Sequence, residues 1–288
     1  MKRVAITGAS KGLGEALARE WVATHGASTG LLVLMGRDEA KLRVLATEFD
    51  TKAAKKICEV WVGDLTIDRD RRELVQKLAQ QNVDTLILNA GFGYFRSFVD
   101  SAIEEQVQTV QGNIIANLEM VHAWLRSHLG SASGSSAALS AGRVDSLSGF
   151  QRESRPWNLL IVSSHGYQMR VPHFATYVAS KTFLTDWAST LALELKTEGH
   201  SATVSIVCPG AMQTEFSTRA KIPKMIATPA ASTALAKKIL AKVGRPGIHY
   251  LTMYDQVIRF LNWFLPRALM DWIVITTQTR ALKRSSQK

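Results

Sequence analysis

The sequence predicts an α/β domain in which seven parallel strands form one doubly wound sheet, with a helical segment after it. Three observations lead there. Short β-rich runs alternate with helix-length segments through the first 250 residues, most of those runs are apolar at consecutive rather than alternate positions, and the first leads into a glycine-rich turn. Strands covered by helices on both faces have that pattern, because each side of the sheet needs an apolar lining.

The first strand is Lys2-Arg3-Val4-Ala5-Ile6-Thr7. Further strands are expected at Leu31–Leu34, Cys58–Val62, Thr85–Leu88, Asn158–Val162, Thr203–Val207 and Ile248–Leu251. Between them, helices are expected over Gly14–Thr24, Glu39–Phe49, Asp68–Gln80, Glu104–Leu129, Tyr177–Thr197 and Ala230–Val243. This spacing makes residues 1–250 one domain and 251–288 a basic, amphipathic helical extension. The stretch Gly130–Ser154 holds eight Ser, four Gly and four Ala without apolar period. It reads as a flexible insertion, having too little apolar surface to offset the entropy of ordering.

With 288 residues, 46% of them hydrophobic, the chain can bury a sizeable core, which excludes disordered and collagen-like classes. Cys58 and Cys208 could form at most one bridge and sit in no metal-ligand cluster. The net charge of +11 is localised: residues 219–288 carry thirteen Lys or Arg against two Asp, while the rest is balanced at 22 of each sign. No apolar leader precedes the first strand, so a cytoplasmic protein is expected.

The turn after the first strand reads Thr7-Gly8-Ala9-Ser10-Lys11-Gly12-Leu13-Gly14. Glycines between a strand and a helix let the backbone approach a pyrophosphate, and the helix N-terminus offers free N–H groups to it. Gly8, Ser10, Lys11, Gly12, Leu13 and Gly14 are therefore candidate dinucleotide ligands. The second strand ends in Gly36-Arg37, where an acidic residue would bind the ribose hydroxyls of NAD. Lys11 and Arg37 instead supply cations for a 2′-phosphate, which argues for NADP(H). Asp38 is the competing residue, able to turn inward as a ribose ligand.

With glycines spaced TGxxxGxG, the chain resembles the short-chain dehydrogenase/reductase family from Lys2 to about Ile248. The resemblance implies a Rossmann-type fold, a homo-oligomer (dimer or tetramer) and a set of site residues. Asp64, followed by Leu65, would contact the adenine ring, and Asn89-Ala90-Gly91 would line the cofactor. Pro209-Gly210, with Thr214 four residues on, would orient the nicotinamide carboxamide. The chemistry falls to Asn113, Ser164, Tyr177 and Lys181. Tyr177 and Lys181 are four apart on one predicted helix, so both project from one face. A phenol titrates near 10, and an ammonium beside it is expected to bring that value down. Ser164, thirteen residues before Tyr177, would hold the substrate oxygen, with Ser163 as the competing serine. Asn113 resembles the residue that kinks its helix and supports a water path to the lysine.

The implied reaction is hydride transfer between NADP(H) and a carbonyl or alcohol. Aromatic residues at Phe92, Tyr94, Phe95 and across Tyr250–Trp272 favour a hydrophobic substrate. A protein of the same fold that binds NADP(H) without turnover is the alternative. In Tyr254–Thr277, Arg259, Arg267, Asp271 and Pro266 exclude a spanning helix. Asp255, Arg259 and Asn262 form a polar stripe, and two readings of the apolar remainder stay open. Ile258, Phe260, Leu261, Phe264, Leu265, Leu269 and Ile273 pack on the domain or across a dimer contact, or the segment lies peripherally on a membrane surface. Nucleic acid is excluded as a partner, since no nucleic-acid module is present.

Overall fold

Val4, Ala5 and Ile6 offer neither a polar side chain nor a turn residue, and strand β1 (Lys2–Thr7) buries all three completely. The structure is a computed structural model that describes residues 1–129, 156–210, 212–213 and 230–286. Gly130–Ser154 and Thr214 lie outside the described residues. β1 is flanked by β2 (Thr29–Gly36) and β4 (Thr85–Leu88). With β3 (Cys58–Val62), β5 (Trp157–Val162), β6 (Ala202–Cys208) and β7 (Gly247–Tyr250) they form one parallel sheet in the order β3-β2-β1-β4-β5-β6-β7. Outside it, Met212–Gln213 pairs with Ala230–Ala231.

Alternation along each strand sends side chains to two separate cores. Val4, Ile6, Leu32, Leu34, Ile87, Leu160 and Val207 meet helices α1 (Gly12–His25), α2 (Glu39–Ala53) and α7 (Ser232–Leu240) on one face. Ala5, Val33, Met35, Leu86, Leu88, Ile161 and Ile206 meet α3 (Asp68–Gln80), α5 (Ala116–Leu129) and α6 (Ala175–Thr197) on the other. The strand order reverses direction between β1 and β4, and open α/β sheets bind ligands in the crevice at such a point.

The helix expected over Glu104–Leu129 is broken. It runs as α4 (Ile103–Val110), a π turn over Gln111–Ile115, and α5. The side-chain amide of Asn117 donates to the Asn113 carbonyl at 2.6 Å, inside the widened turn. A π turn is a single widened i→i+5 turn that no residue type marks, so the helix pattern in the sequence does not register it.

After β7 come α8 (Met253–Phe264) and α9 (Arg267–Ser286), separated at Pro266, whose missing N–H cannot continue a helix. Thr252 and Asp255 form a reciprocal capping box that starts α8. The amphipathicity of α8 is reversed from that of an ordinary surface helix. Its polar stripe faces the domain: Asp255 is fully buried, and the Arg259 guanidinium lies 5.1 Å from the centre of the Tyr250 ring. Its apolar side faces solvent, with Trp263 80% and Phe260 58% exposed, and Met253, Val257 and Phe264 exposed too. Packing of Phe260, Phe264 and Leu269 on the domain is therefore not found; of the rest of that set, Ile258, Leu261, Leu265 and Ile273 are half-buried. α9 is tied down through buried Met270 and Val274, the Arg170–Asp271 ion pair at 2.8 Å, and Gln278 donating to the Pro172 carbonyl at 2.9 Å.

Trp124 on α5 is completely buried and donates its indole N–H to the Val83 carbonyl at 2.7 Å. Trp124→Ala is predicted to cost about 3–5 kcal/mol of stability from lost packing, read as a lower urea midpoint; an unchanged midpoint would contradict this core assignment.

Candidate active site

The phosphate end of the crevice is built by backbone. Gly8 has φ +68°, and a Cβ on Gly14 would stand 2.0 Å from the Gly8 carbonyl oxygen and 2.6 Å from the Asn89 amide nitrogen. No side chain fits there, so the first turn of α1 lies directly against the end of β1. The Thr7 hydroxyl accepts from the N–H groups of both Asn89 (3.0 Å) and Ala90 (2.9 Å), and the Asn89 amide donates to the Thr7 carbonyl at 2.9 Å. These bonds fix Asn89-Ala90-Gly91 beside the glycine turn. Lys11 caps α1 in an extended conformation, Ser10 is buried, and Leu13 enters the core. The backbone cradle that a Cβ would fill, opening onto a helix N-terminus, fits a dinucleotide pyrophosphate.

At the end of β2, a Cβ on Gly36 would approach the Ser10 hydroxyl to 3.2 Å, which leaves little room for an acidic side chain. Asp38 does not turn inward. Its carboxylate accepts from the Lys41 N–H at 3.1 Å and caps α2. Arg37 makes a 2.9 Å ion pair with Asp64, so the two residues assigned to adenosine recognition hold each other. Burial pushes the Asp64 carboxyl up, but hydrogen bonds from Thr66 and Arg37 outweigh it and the net shift is downward. Leu65 packs against the core on the α3 side.

At the other end of the crevice stands the candidate catalytic cluster. Tyr177 and Lys181 leave the same face of α6, and Ser164 follows β5. The Ser164 hydroxyl accepts from the Gly166 N–H at 3.1 Å and is hydrogen-bonded to the Tyr177 phenol. Phe174 stacks on Tyr177 with ring centres 4.3 Å apart. Lys181 is buried, donates to the Val162 carbonyl at 3.0 Å, and has its nitrogen 5.8 Å from the centre of the Tyr177 ring. Asn113, fully buried at the π turn, joins three segments. It accepts from the Phe92 N–H (3.0 Å) and donates to the Phe92 carbonyl (2.8 Å) and the Ser180 hydroxyl (2.9 Å). Ser163 is buried against the Lys181 carbonyl and Thr185, which removes it as a competitor to Ser164.

The model of the short chain dehydrogenase family matches residues 2–143 and 152–224. The chain belongs to the short-chain dehydrogenase/reductase family. It is 28% identical over 276 residues to a very-long-chain 3-oxoacyl-CoA reductase of Pyricularia oryzae, covering 94% of this chain and 72% of that one. It is 26% identical over 225 residues to dehydrogenase/reductase SDR family member 7B of Danio rerio, covering 76% and 63%. Among solved structures, a short-chain dehydrogenase from Sphingobium yanoikuyae in complex with NADPH superposes with a TM-score of 0.70 at 22% identity, covering 93% of this chain and 98% of that one.

In this dehydrogenase fold the Tyr–Lys pair departs from one sequence expectation. The phenol is not brought down by the ammonium: burial pushes Tyr177 up to about 12, with the Ser164 bond opposing it. Burial also pulls Lys181 down to about 8. The reason is distance and partner, since the lysine nitrogen bonds to the Val162 carbonyl rather than to the phenol. Sequence reading also missed Thr7, whose hydroxyl organises the Asn-Ala-Gly segment, and Phe174, which stacks on Tyr177. Their positions, closing the first strand and three residues before Tyr177, are the signals that could have found them.

The depressed Lys181 fixes a pH dependence. An unfolded lysine titrates near 10.4, so between about pH 8 and that value the unfolded chain binds more protons at this position than the folded chain. Stability from this group rises with pH across that window and is lowest below pH 8. The urea midpoint of wild type is predicted to gain on that of Lys181→Met between pH 7.5 and pH 10; a constant difference between them would refute the burial effect.

Proposed function

We propose that this short-chain dehydrogenase is an NADPH-dependent reductase of a hydrophobic ketone and works at a membrane surface. The observation that carries the reaction is the hydrogen-bonded Ser164–Tyr177 pair with Lys181 buried behind it, at the end of the crevice opposite the glycine cradle. The cradle of Gly8, Ser10, Gly12 and Gly14 would hold the pyrophosphate. Lys11 and Arg37 would serve a 2′-phosphate, the crowding between Gly36 and Ser10 disfavours the acidic NAD ligand, and Asn89, Ala90, Gly91, Pro209, Gly210 and Thr214 would line the nicotinamide half. When bound, NADPH supplies the hydride.

The protein's part is to orient the carbonyl and handle a proton. Ser164 donates to the carbonyl oxygen and fixes it beside Tyr177. Tyr177, fully protonated near neutral pH because burial holds it at about 12, gives its proton to that oxygen as negative charge develops there. The resulting phenolate is stabilised by the field of the Lys181 ammonium, and Lys181 is predominantly charged near pH 7 with a pKa of about 8. Asn113 holds the Phe92 segment and α6 in register, which keeps this geometry fixed. Phe95, Phe174 and Tyr177 form a run of ring contacts at 5.7 and 4.3 Å that gives an acyl chain an apolar wall. The relatives named very-long-chain 3-oxoacyl-CoA reductase support a 3-oxoacyl thioester as the ketone class.

The surface reading rests on the outward apolar face of α8. Trp263, Phe260 and Phe264, with Trp272 of α9, are exposed, and the cations Arg267 and Arg280 of α9 are exposed too. Aromatic rings beside cations are what an anionic lipid interface accommodates. No helix among the described residues is long and apolar enough to cross a bilayer, so α8 would lie in the interface.

Tyr177→Phe is predicted to lower NADPH-dependent ketone reduction by about 10²–10⁴-fold with NADPH binding and the circular dichroism spectrum unchanged. Unaltered turnover would remove Tyr177 as the acid, and a wild type that binds NADPH tightly but reduces no member of a broad carbonyl panel would establish the idle-binder alternative. In flotation assays, the full chain is predicted to rise with vesicles containing phosphatidylserine, and Trp263→Ser/Phe264→Ser to remain at the bottom. Failure of wild type to float, with a dimer that the double variant disperses, would assign the face to a second copy instead.

A further inference from the structure

A buried polar contact lies beside Ser164, outside the Ser164–Tyr177–Lys181 cluster. His165 immediately follows Ser164, and its backbone N–H donates to the Pro209 carbonyl at 3.0 Å. Its Nδ1 lies 3.6 Å from Oδ1 of Asp255, the fully buried residue on the inward stripe of α8. Neither atom has a hydrogen-bond partner among the described residues. The other carboxylate oxygen is already committed, accepting from the N–H (3.1 Å) and hydroxyl (2.7 Å) of Thr252. The capping box thus orients the carboxylate and leaves Oδ1 pointing at the imidazole. Gly210 supplies the room: a Cβ there would stand 2.6 Å from Oδ1 and 3.3 Å from Nδ1. Tyr254 closes the site edge-on to the imidazole, with ring centres 6.1 Å apart.

We propose that His165 and Asp255 are positioning residues for the reductase reaction: Nδ1–H of His165 donates to Oδ1 of Asp255, and this bond clamps the Ser164 segment to the Pro209-Gly210 turn. An isolated buried carboxylate oxygen and an isolated buried imidazole nitrogen are each costly, and pairing satisfies both. Their separation exceeds a hydrogen bond by roughly half an ångström, and bonds of this kind often tighten in the productive complex. Because His165 is bonded through its backbone to Pro209 and through its side chain to α8, the dyad sets where the adjacent Ser164 hydroxyl stands. Asp255 thereby ties the C-terminal extension to the reacting group. This role rests on the reductase reading above.

The test uses the full chain with three substitutions. His165→Asn places a side-chain amide N–H close to the position of Nδ1, His165→Phe keeps a ring but no donor, and Asp255→Asn turns the acceptor into a donor. His165→Phe is expected to lower kcat by on the order of 10–100-fold, the cost of a misplaced reacting group, with KM for NADPH unchanged; His165→Asn is expected to recover most of that loss. In proton NMR, wild type is expected to show a downfield imidazole N–H resonance that is missing from both His165→Asn and Asp255→Asn. Equal loss in the Asn and Phe variants overturns the positioning role, as does full activity in His165→Phe. A wild type that reduces ketones without the resonance overturns the bond and leaves the reductase standing. A wild type that shows the resonance and binds NADPH but reduces nothing overturns the reductase reading and upholds the bond.

Discussion

The carboxyl edge of the sheet is organised by the contact between Thr7 and Asn89. β1 and β4 are neighbours at the point where the strand order reverses, so the chains leaving them depart toward opposite faces. A crevice opens between them by topology, and its walls would be independent loops without a tie. Two N–H groups on the Thr7 hydroxyl, with the Asn89 amide on the Thr7 carbonyl, lock those walls together. The glycine turn packs against the same asparagine, Gly91 leads from it to the Phe92 segment, and Asn113 passes that position on to α6 and thus to Tyr177.

Desolvation decides the electrostatics of this edge. Burial drives the phenol up and the ammonium down, so Tyr177 is kept as a donor and Lys181 titrates at about 8 while still mostly charged near pH 7. The opposite shifts have one cause, because a low-dielectric site disfavours whichever form carries charge. A tyrosine–lysine pair four apart on a helix indicates that two groups share a face, while their protonation is set by what covers them.

The sheet was largely legible in the sequence because the apolar runs that must line two cores are continuous and turn residues bound them. Leu31–Leu34 was expected and Thr29–Gly36 is observed, since Thr29 and Gly30 carry no apolar signal and join the strand through pairing with β1. The placement of Gly14 in the turn and of Tyr177 and Lys181 on one helix face was readable because it follows from local spacing. Three features were not. The π turn has no residue signature of its own and only the resemblance at Asn113 placed a kink there, the Arg37–Asp64 pair joins residues 27 apart in the chain, and the inward stripe of α8 looks the same in sequence whichever side faces the domain. The buried Asp255–His165 contact lies behind that last ambiguity, although Thr252 three residues before Asp255 does carry a capping-box signature.

The reversed helix also bears on how the protein behaves once purified. A face carrying Phe260, Trp263 and Phe264 in water lowers its free energy by meeting any apolar surface available, including the same face on another copy. Particle sizes measured in plain buffer would then report how crowded those rings are as much as any assembly built around the active site. Mild detergent or lipid nanodiscs separate the two effects, because they occupy the helix while leaving sheet and crevice untouched.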